Sequence, residues 1–251
     1  MTVTTESGNG VTSGPARHEG TGSGSAVGPP LPLPAISFAA LFLASVVGVS
    51  AATGGAHFPS PYDPVSRLSA YLAVHHTALQ ISSLLQFASA VPLAIFAAAA
   101  ATRLQHLGIR APGATIALVG GITASAMLVI SARAQWVLAQ PGIAQNPAVA
   151  RGFQDLAFIT GGPGHVVTFG LLLAGIAVVA AFTGILPRPL ALAGVALAVL
   201  AEISTLTFAL HGVAILLPIA RFAGYAWMVA VAFMLPRPTG TAAAPAAEPA
   251  R

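Results

Sequence analysis

The chain has 251 residues; 6% are charged, 56% are hydrophobic, the formal net charge is +4 and the mean hydropathy is +0.84. A soluble domain carries about 25% Asp, Glu, Lys and Arg and needs that polar surface to stay dispersed in water. Composition therefore excludes a soluble enzyme, a nucleic-acid binder and a disordered regulator, and makes lipid the solvent.

All ten basic residues are Arg. They are spread along the chain with no basic stripe, so the pI near 10.7 carries no nucleic-acid signal. Cys is absent, which excludes disulfides, thiolate metal sites and Cys nucleophiles. No phosphate-binding G-x-x-x-x-G-K-[ST], zinc-binding H-E-x-x-H or nucleophile-elbow G-x-S-x-G pattern occurs.

In chain order, residues 1–33 are rich in Gly, Ser, Thr and Pro and are predicted to be a disordered tail, as is 236–251. Between them lies a single transmembrane domain, 34–235. A bilayer-spanning helix needs about 20 mostly apolar residues. Six segments qualify: 35–54, 72–101, 114–132, 164–186, 190–210 and 214–235. None alternates as a barrel strand does, so all six are helices and the fold class is all-α. Val49-Ser50-Ala51 fits a small-residue cleavage site, but about thirty polar residues precede the first apolar run, and a retained anchor is the expectation. Asp63-Pro64 and Asn146-Pro147 each read as a capping residue before a Pro at the first helical position. The first pair starts the second helix outside the lipid. The second starts a short interfacial helix with Val149, Phe153 and Leu156 on one side and Arg151, Gln154 and Asp155 on the others. Gly161-Gly162-Pro163-Gly164 is expected to break the chain before span four, Pro92 to kink span two, and Pro187-Arg188-Pro189 to turn between spans four and five.

Orientation follows from the Arg bias of short loops. With both termini in the cytoplasm, that side holds Arg17, Arg103, Arg110, Arg188, Arg237 and Arg251. The other holds Arg67, Arg133, Arg151 and Arg221. His57, His75, His76, His165 and His211 then fall near the outer face, with His165 opening span four and His211 closing span five. Only His18 and His106 fall inside.

Span two carries a polar stripe of Arg67, Tyr71, His75, Ser82, Gln86 and Ser89, while His76, Gln80 and Ser83 lie opposite. A polar face half-way into a bilayer should meet other helices or a wet cavity. Arg221 and Tyr225 sit one turn apart at the outer start of span six. The candidate ligand-binding set is His75, Gln86, His165, His211, Arg221 and Tyr225. The outer imidazoles have three readings: interfacial hydrogen-bonding residues, the lining of a ligand pocket or proton relay, or ligands of haem or a divalent metal through His75, His76, His165 and His211. No cofactor is expected on the first two. Glu202 is the one acidic residue deep in a span; it reads either as a functional acid, the only catalytic candidate, or as a protonated side chain hydrogen-bonded to a neighbouring helix. Asp63 and Asp155 are explained by capping and by the interfacial helix. Gly120, Gly121, Ser125, Gly170 and Gly175 offer small packing surfaces.

The stretch from Gly164 to Ser204 has a His-led helix, then Gly-Ile-Leu-Pro-Arg at 184–188, then a small-residue-rich helix. It resembles a group of bacterial six-helix integral membrane proteins that share a domain of unknown function and carry a Gly-x-Leu-Pro-Arg turn between helices four and five. The resemblance covers about 34–235. This chain has Ile185 where an aromatic is usual, and a Gly/Pro-rich break before His165. The resemblance implies a fold and a membrane location, but no catalytic residues.

The expectation is a multi-pass protein of the bacterial cytoplasmic membrane. It is read as a non-enzymatic component with an outward-facing, His-lined polar vestibule for a small molecule, a lipid or a membrane-protein partner, and no nucleic-acid partner. The alternatives are a membrane oxidoreductase or haem/metal protein using the outer His set, and a lipid- or terpenoid-modifying enzyme using Glu202. The 7% aromatic content disfavours the terpenoid reading, because cation-stabilising pockets are built from aromatic faces.

Overall fold

The computed structural model describes residues 30–109 and 111–236. Both predicted tails lie outside the described residues except for their inner edges, as do Arg17, His18, Arg110, Arg237 and Arg251. The described residues form helices joined by turns, without a strand. We number them α1 (Pro32–Ala52), α2 (Val65–His106), α3 (Gly113–Leu138), α4 (Pro147–Ile159), α5 (His165–Thr183), α6 (Arg188–Ile203) and α7 (Leu216–Met234). Six helical segments are long and apolar enough to cross a bilayer: α1, α2, α3, Pro147–Thr183, Arg188–Phe208 and His211–Met234. The protein is an all-α, multi-pass membrane helix bundle.

Each span packs on its neighbour, α5 on α3, and α7 returns to α1, so the six spans close into a ring. An even number of crossings puts Pro32 and Met234 at the same end, the terminal end. The loops at 53–64 and 139–146 and the turn at 209–210 lie at the other, the distal end.

Small residues let the backbones meet, as membrane helices require when lipid gives no hydrophobic drive to pack. A Cβ added at Gly175 on α5 would stand 2.5 Å from both the Ala117 nitrogen and the Gly113 oxygen of α3. One added at Gly120 would stand 2.5 Å from the Leu172 nitrogen. Gly194 on α6 receives the Trp227 ring of α7, whose Nε1 donates to Leu190 O at 2.7 Å.

α2 has 42 residues, roughly 63 Å at 1.5 Å per residue, about twice the hydrocarbon thickness. Its first part stands at the distal end, where Leu68, Tyr71 and Leu72 join Leu138, Ala139 and Ala150 in a second small core. Helical dihedrals fail within α2 at His75 (φ −113°, ψ 20°), rather than at Pro92.

Four local expectations are corrected. Gly161-Gly162-Pro163-Gly164 does not break the helix: Thr160–Gly164 forms a π-helical turn that carries α4 straight into α5. Packing supplies what the local sequence lacks, since Gly161, Gly162 and Pro163 are buried. Asp63 does not cap α2, whose N-cap is Pro64 without a side-chain bond. Its carboxylate instead accepts from Ser60 N at 2.9 Å and pairs with Arg67 at 3.5 Å. His211 does not close span five; α6 tightens into a 3₁₀ turn at Ser204–Phe208, and His211 opens a second one, His211–Ile215, that leads into α7. On α4 the buried face is Ala150, Gln154 and Ala157, so Gln154 points into the bundle while Val149 and Leu156 are exposed. Asn146 does cap α4, its Oδ1 accepting from Val149 N at 3.5 Å.

Candidate functional site

A cavity of about 510 Å³ occupies the distal half of the ring. That is within the range of small-molecule sites, about 300–1,000 Å³. The innermost lining residues of each helix define its floor: Ser45 of α1, Gln86 of α2, Ser131 of α3, Gly161 and Gly162 of the π turn and Arg221 of α7. Apolar walls rise above it from Val46, Val49, Leu79, Phe158, Leu217 and Pro218. His57, Phe58 and Pro61 of the 53–64 loop line the mouth.

The floor is a continuous hydrogen-bond chain. Gln135 Nε2 donates to Gln86 Oε1 at 2.7 Å, Gln86 Nε2 to Ser131 Oγ at 3.4 Å, and Ser131 Oγ to Ala157 O at 2.9 Å. Ser82 Oγ ties α2 to α1 by donating to Ser45 O at 3.0 Å. These groups sit at membrane depth, where an unsatisfied polar atom is costly. Their mutual bonds fix the amides in place. Glycine makes room for this chain, since a Cβ at Gly161 would meet Ser131 Oγ at 2.3 Å.

The rim is strapped from α4. Arg151 donates to Pro61 O at 2.5 Å, to Asp63 O and to Gln154 Oε1 at 2.8 Å. Gln154 Nε2 donates to Pro59 O at 2.7 Å. The 59–63 loop is held over the cavity by these carbonyl contacts.

Beneath the floor an aromatic layer ends the cavity. His165 is fully buried; its Nδ1 lies 3.0 Å from Ala124 O and its Nε2 2.7 Å from Tyr225 Oη. Its ring stacks on Phe169 (centroids 5.7 Å, 17°) and Phe42 (6.5 Å, 13°). Tyr225 stands edge-on to Phe38, Phe42 and Phe169 at 4.7–5.2 Å. Arg221 bridges the two levels. Its guanidinium sits 5.5 Å from the Phe42 centroid and donates through Nη2 to Gly161 O.

The sequence-derived candidates fall into three groups. Gln86 and Arg221 line the cavity. His165 and Tyr225 bond each other directly below it. His75 and His211 lie outside it, against the rings of Tyr71 (4.8 Å) and Tyr62 (4.3 Å) respectively. The polar lining is thus amide and hydroxyl in character apart from the Arg221 guanidinium, with His57 as its one imidazole. Among the described residues no group of three or more His, Cys, Asp or Glu could hold a metal, and His75, His76, His165 and His211 form no such set. Both ring nitrogens of His165 are engaged, so ligating haem or a metal would require breaking one of those bonds. Glu202 is exposed on α6 and lines neither the cavity nor the aromatic layer.

Ser45, Ser131, Gln135 and Gln154 were not among the candidates. Ser131 and Gln135 are one helical turn apart at the end of an apolar run, a visible signal hidden by ending span three at 132. Gln154 reads in the sequence as part of the polar side of an interfacial helix.

No protein-family model, curated protein or solved structure matches the chain.

Proposed function

We propose that the protein is a non-enzymatic membrane component that binds one small amphipathic molecule in the distal cavity. In this reading it lies in a bacterial cytoplasmic membrane, with its termini in the cytoplasm and the cavity opening outward. The loop-Arg bias supports that orientation, and the Gly-Ile-Leu-Pro-Arg turn supports membership of the six-helix family it resembles. The observation that carries the proposal is the cavity itself, with a fixed amide and hydroxyl floor beneath apolar walls. Pockets for small molecules have this composition: mostly apolar, with a few convergent polar groups that set orientation. The floor offers hydrogen bonds, but its hydroxyls and amides are already bonded to one another. Among the described residues no carboxylate lines the cavity, and its one imidazole, His57, stands at the mouth rather than beside the floor.

A photoreactive dodecanol, bearing a diazirine on its chain, tests this in phosphatidylcholine nanodiscs. Labelling should saturate and map to residues 45–61, 154–162 and 214–221. Ala157→Trp fills the cavity from α4 and should abolish it. Non-saturating labels scattered over the lipid-facing helices, unchanged by Ala157→Trp, would contradict the proposal.

A further inference from the structure

We infer that the ligand of the cavity is an anion, an amphipath whose carboxylate or phosphate head sits on Arg221. This inference rests on the reading of the cavity as an amphipath site and adds the charge of its occupant.

The chain has six acidic residues, of which Asp63, Asp155 and Glu202 are described. None of these three lines the cavity. Asp63 is engaged with Arg67 and Ser60 N at the surface, and Glu202 faces out from α6. Among the described residues, then, no carboxylate reaches Arg221.

A cation inside a bundle at membrane depth is costly unless it is matched. Arg221 is matched only in part. Phe42 offers one ring face, and Gly161 O accepts from Nη2. Nε is enclosed with no hydrogen-bond partner. A guanidinium carries five N–H donors in a fixed fork, and the structure gives acceptors for Nη2 alone. The guanidinium also lines the cavity floor. An incompletely matched cation on a residue that lines the cavity, with no carboxylate near it among the described residues, favours an anion as the occupant. The planar fork suits a carboxylate or phosphate, which can take two parallel bonds.

The neighbours fit the same occupant. The Gln86 and Ser131 side chains lie on the same floor and can orient a head group. Val46, Val49, Leu217 and Pro218 form the wall above it on the α1 and α7 sides and suit an apolar tail. The aromatic layer below stops the head from passing further.

The test is competition against the photoreactive dodecanol, using dodecanoate, dodecyl phosphate, dodecanol and dodecyltrimethylammonium. Dodecanoate or dodecyl phosphate should displace the label at least ten-fold better than dodecanol, and dodecyltrimethylammonium should be weakest. The better of the two anions identifies the head-group chemistry. Arg221→Gln should remove the preference while keeping the label. Arg221→Lys should keep the preference, reduced by loss of the planar fork. Equal displacement by all four compounds in the unaltered protein would overturn the inference and leave the amphipath reading standing; that arm needs no variant to fold. Absence of cavity labelling would overturn both. An anion preference undiminished in labelled Arg221→Gln would remove the charge from Arg221.

Discussion

Gly175→Leu is expected to be the most destabilising single substitution in the membrane domain. The Cβ it adds meets the backbone of α3 at 2.5 Å on two atoms, Ala117 N and Gly113 O. A flexible side chain could move aside, but backbone can yield only if α3 and α5 separate. That contact is one of the main seams of the ring. Overpacking typically costs about 1–3 kcal/mol and occasionally more; a clash with two backbone atoms belongs at the upper end, about 3 kcal/mol or above. Gly48→Leu is the matched control, because a Cβ there meets nothing within 4 Å. It should stay within about 0.5 kcal/mol, as exposed substitutions do. Thermal unfolding of detergent-purified protein, read by loss of the monodisperse chromatographic peak, separates the two. A Gly175→Leu protein as stable as Gly48→Leu would mean that α3 and α5 do not pack at backbone distance.

The second large effect is at His165. The sequence allows an interfacial imidazole there, which would tolerate truncation. The structure seals the ring between Phe42 and Phe169 and engages both nitrogens. His165→Ala therefore opens a void in the aromatic layer and leaves Tyr225 Oη without its partner. Loss of a large buried ring costs about 3–5 kcal/mol in soluble cores. Hydrogen bonds between membrane helices contribute less, about 0.6 kcal/mol on average. A loss of about 3 kcal/mol is expected for His165→Ala, and about 1 kcal/mol for Tyr225→Phe. Because the two share one bond, the double variant should lose less than the sum of the single ones. A His165→Ala protein within about 0.5 kcal/mol of the unaltered one would place the ring at a solvated interface and remove the layer that ends the cavity.

The spans were legible because lipid imposes one simple rule, a helix of sufficient apolar length, and each of the six apolar runs became one. The irregular turns were not. Gly-Gly-Pro-Gly reads locally as a break, and only burial among α2, α3 and α7 turns it into a π turn. Likewise, no Gly or Pro marks the Ser204–Phe208 turn, which buries Ser204 and Thr207. For the site, Arg221 and Gln86 could be found because ionisable and amide side chains stand out within apolar segments. Gln154 could not, because α4 is amphipathic and periodicity does not say whether its polar face meets water or the bundle. Of the imidazoles expected near the outer face, His75 and His211 differ in direction around the ring, which sequence does not give, and His165 differs in depth, because span four starts at Pro147 and carries it below the cavity. His75 and His211 turn to tyrosines, and His165 into a dry layer.

The central claim is a cavity open to water at the distal, outer end and closed below Arg221. The absence of native Cys makes it directly measurable with single cysteines and a membrane-impermeant maleimide on intact cells. Gln135→Cys, lining the cavity, should be labelled from outside. Ser125→Cys, whose native hydroxyl is buried against Ala90 O at 2.6 Å, should stay unlabelled. Gln105→Cys, at the terminal end of α2, should react only after permeabilisation. Protection of Gln135→Cys in intact cells, or labelling of Ser125→Cys at a comparable rate, would contradict the account.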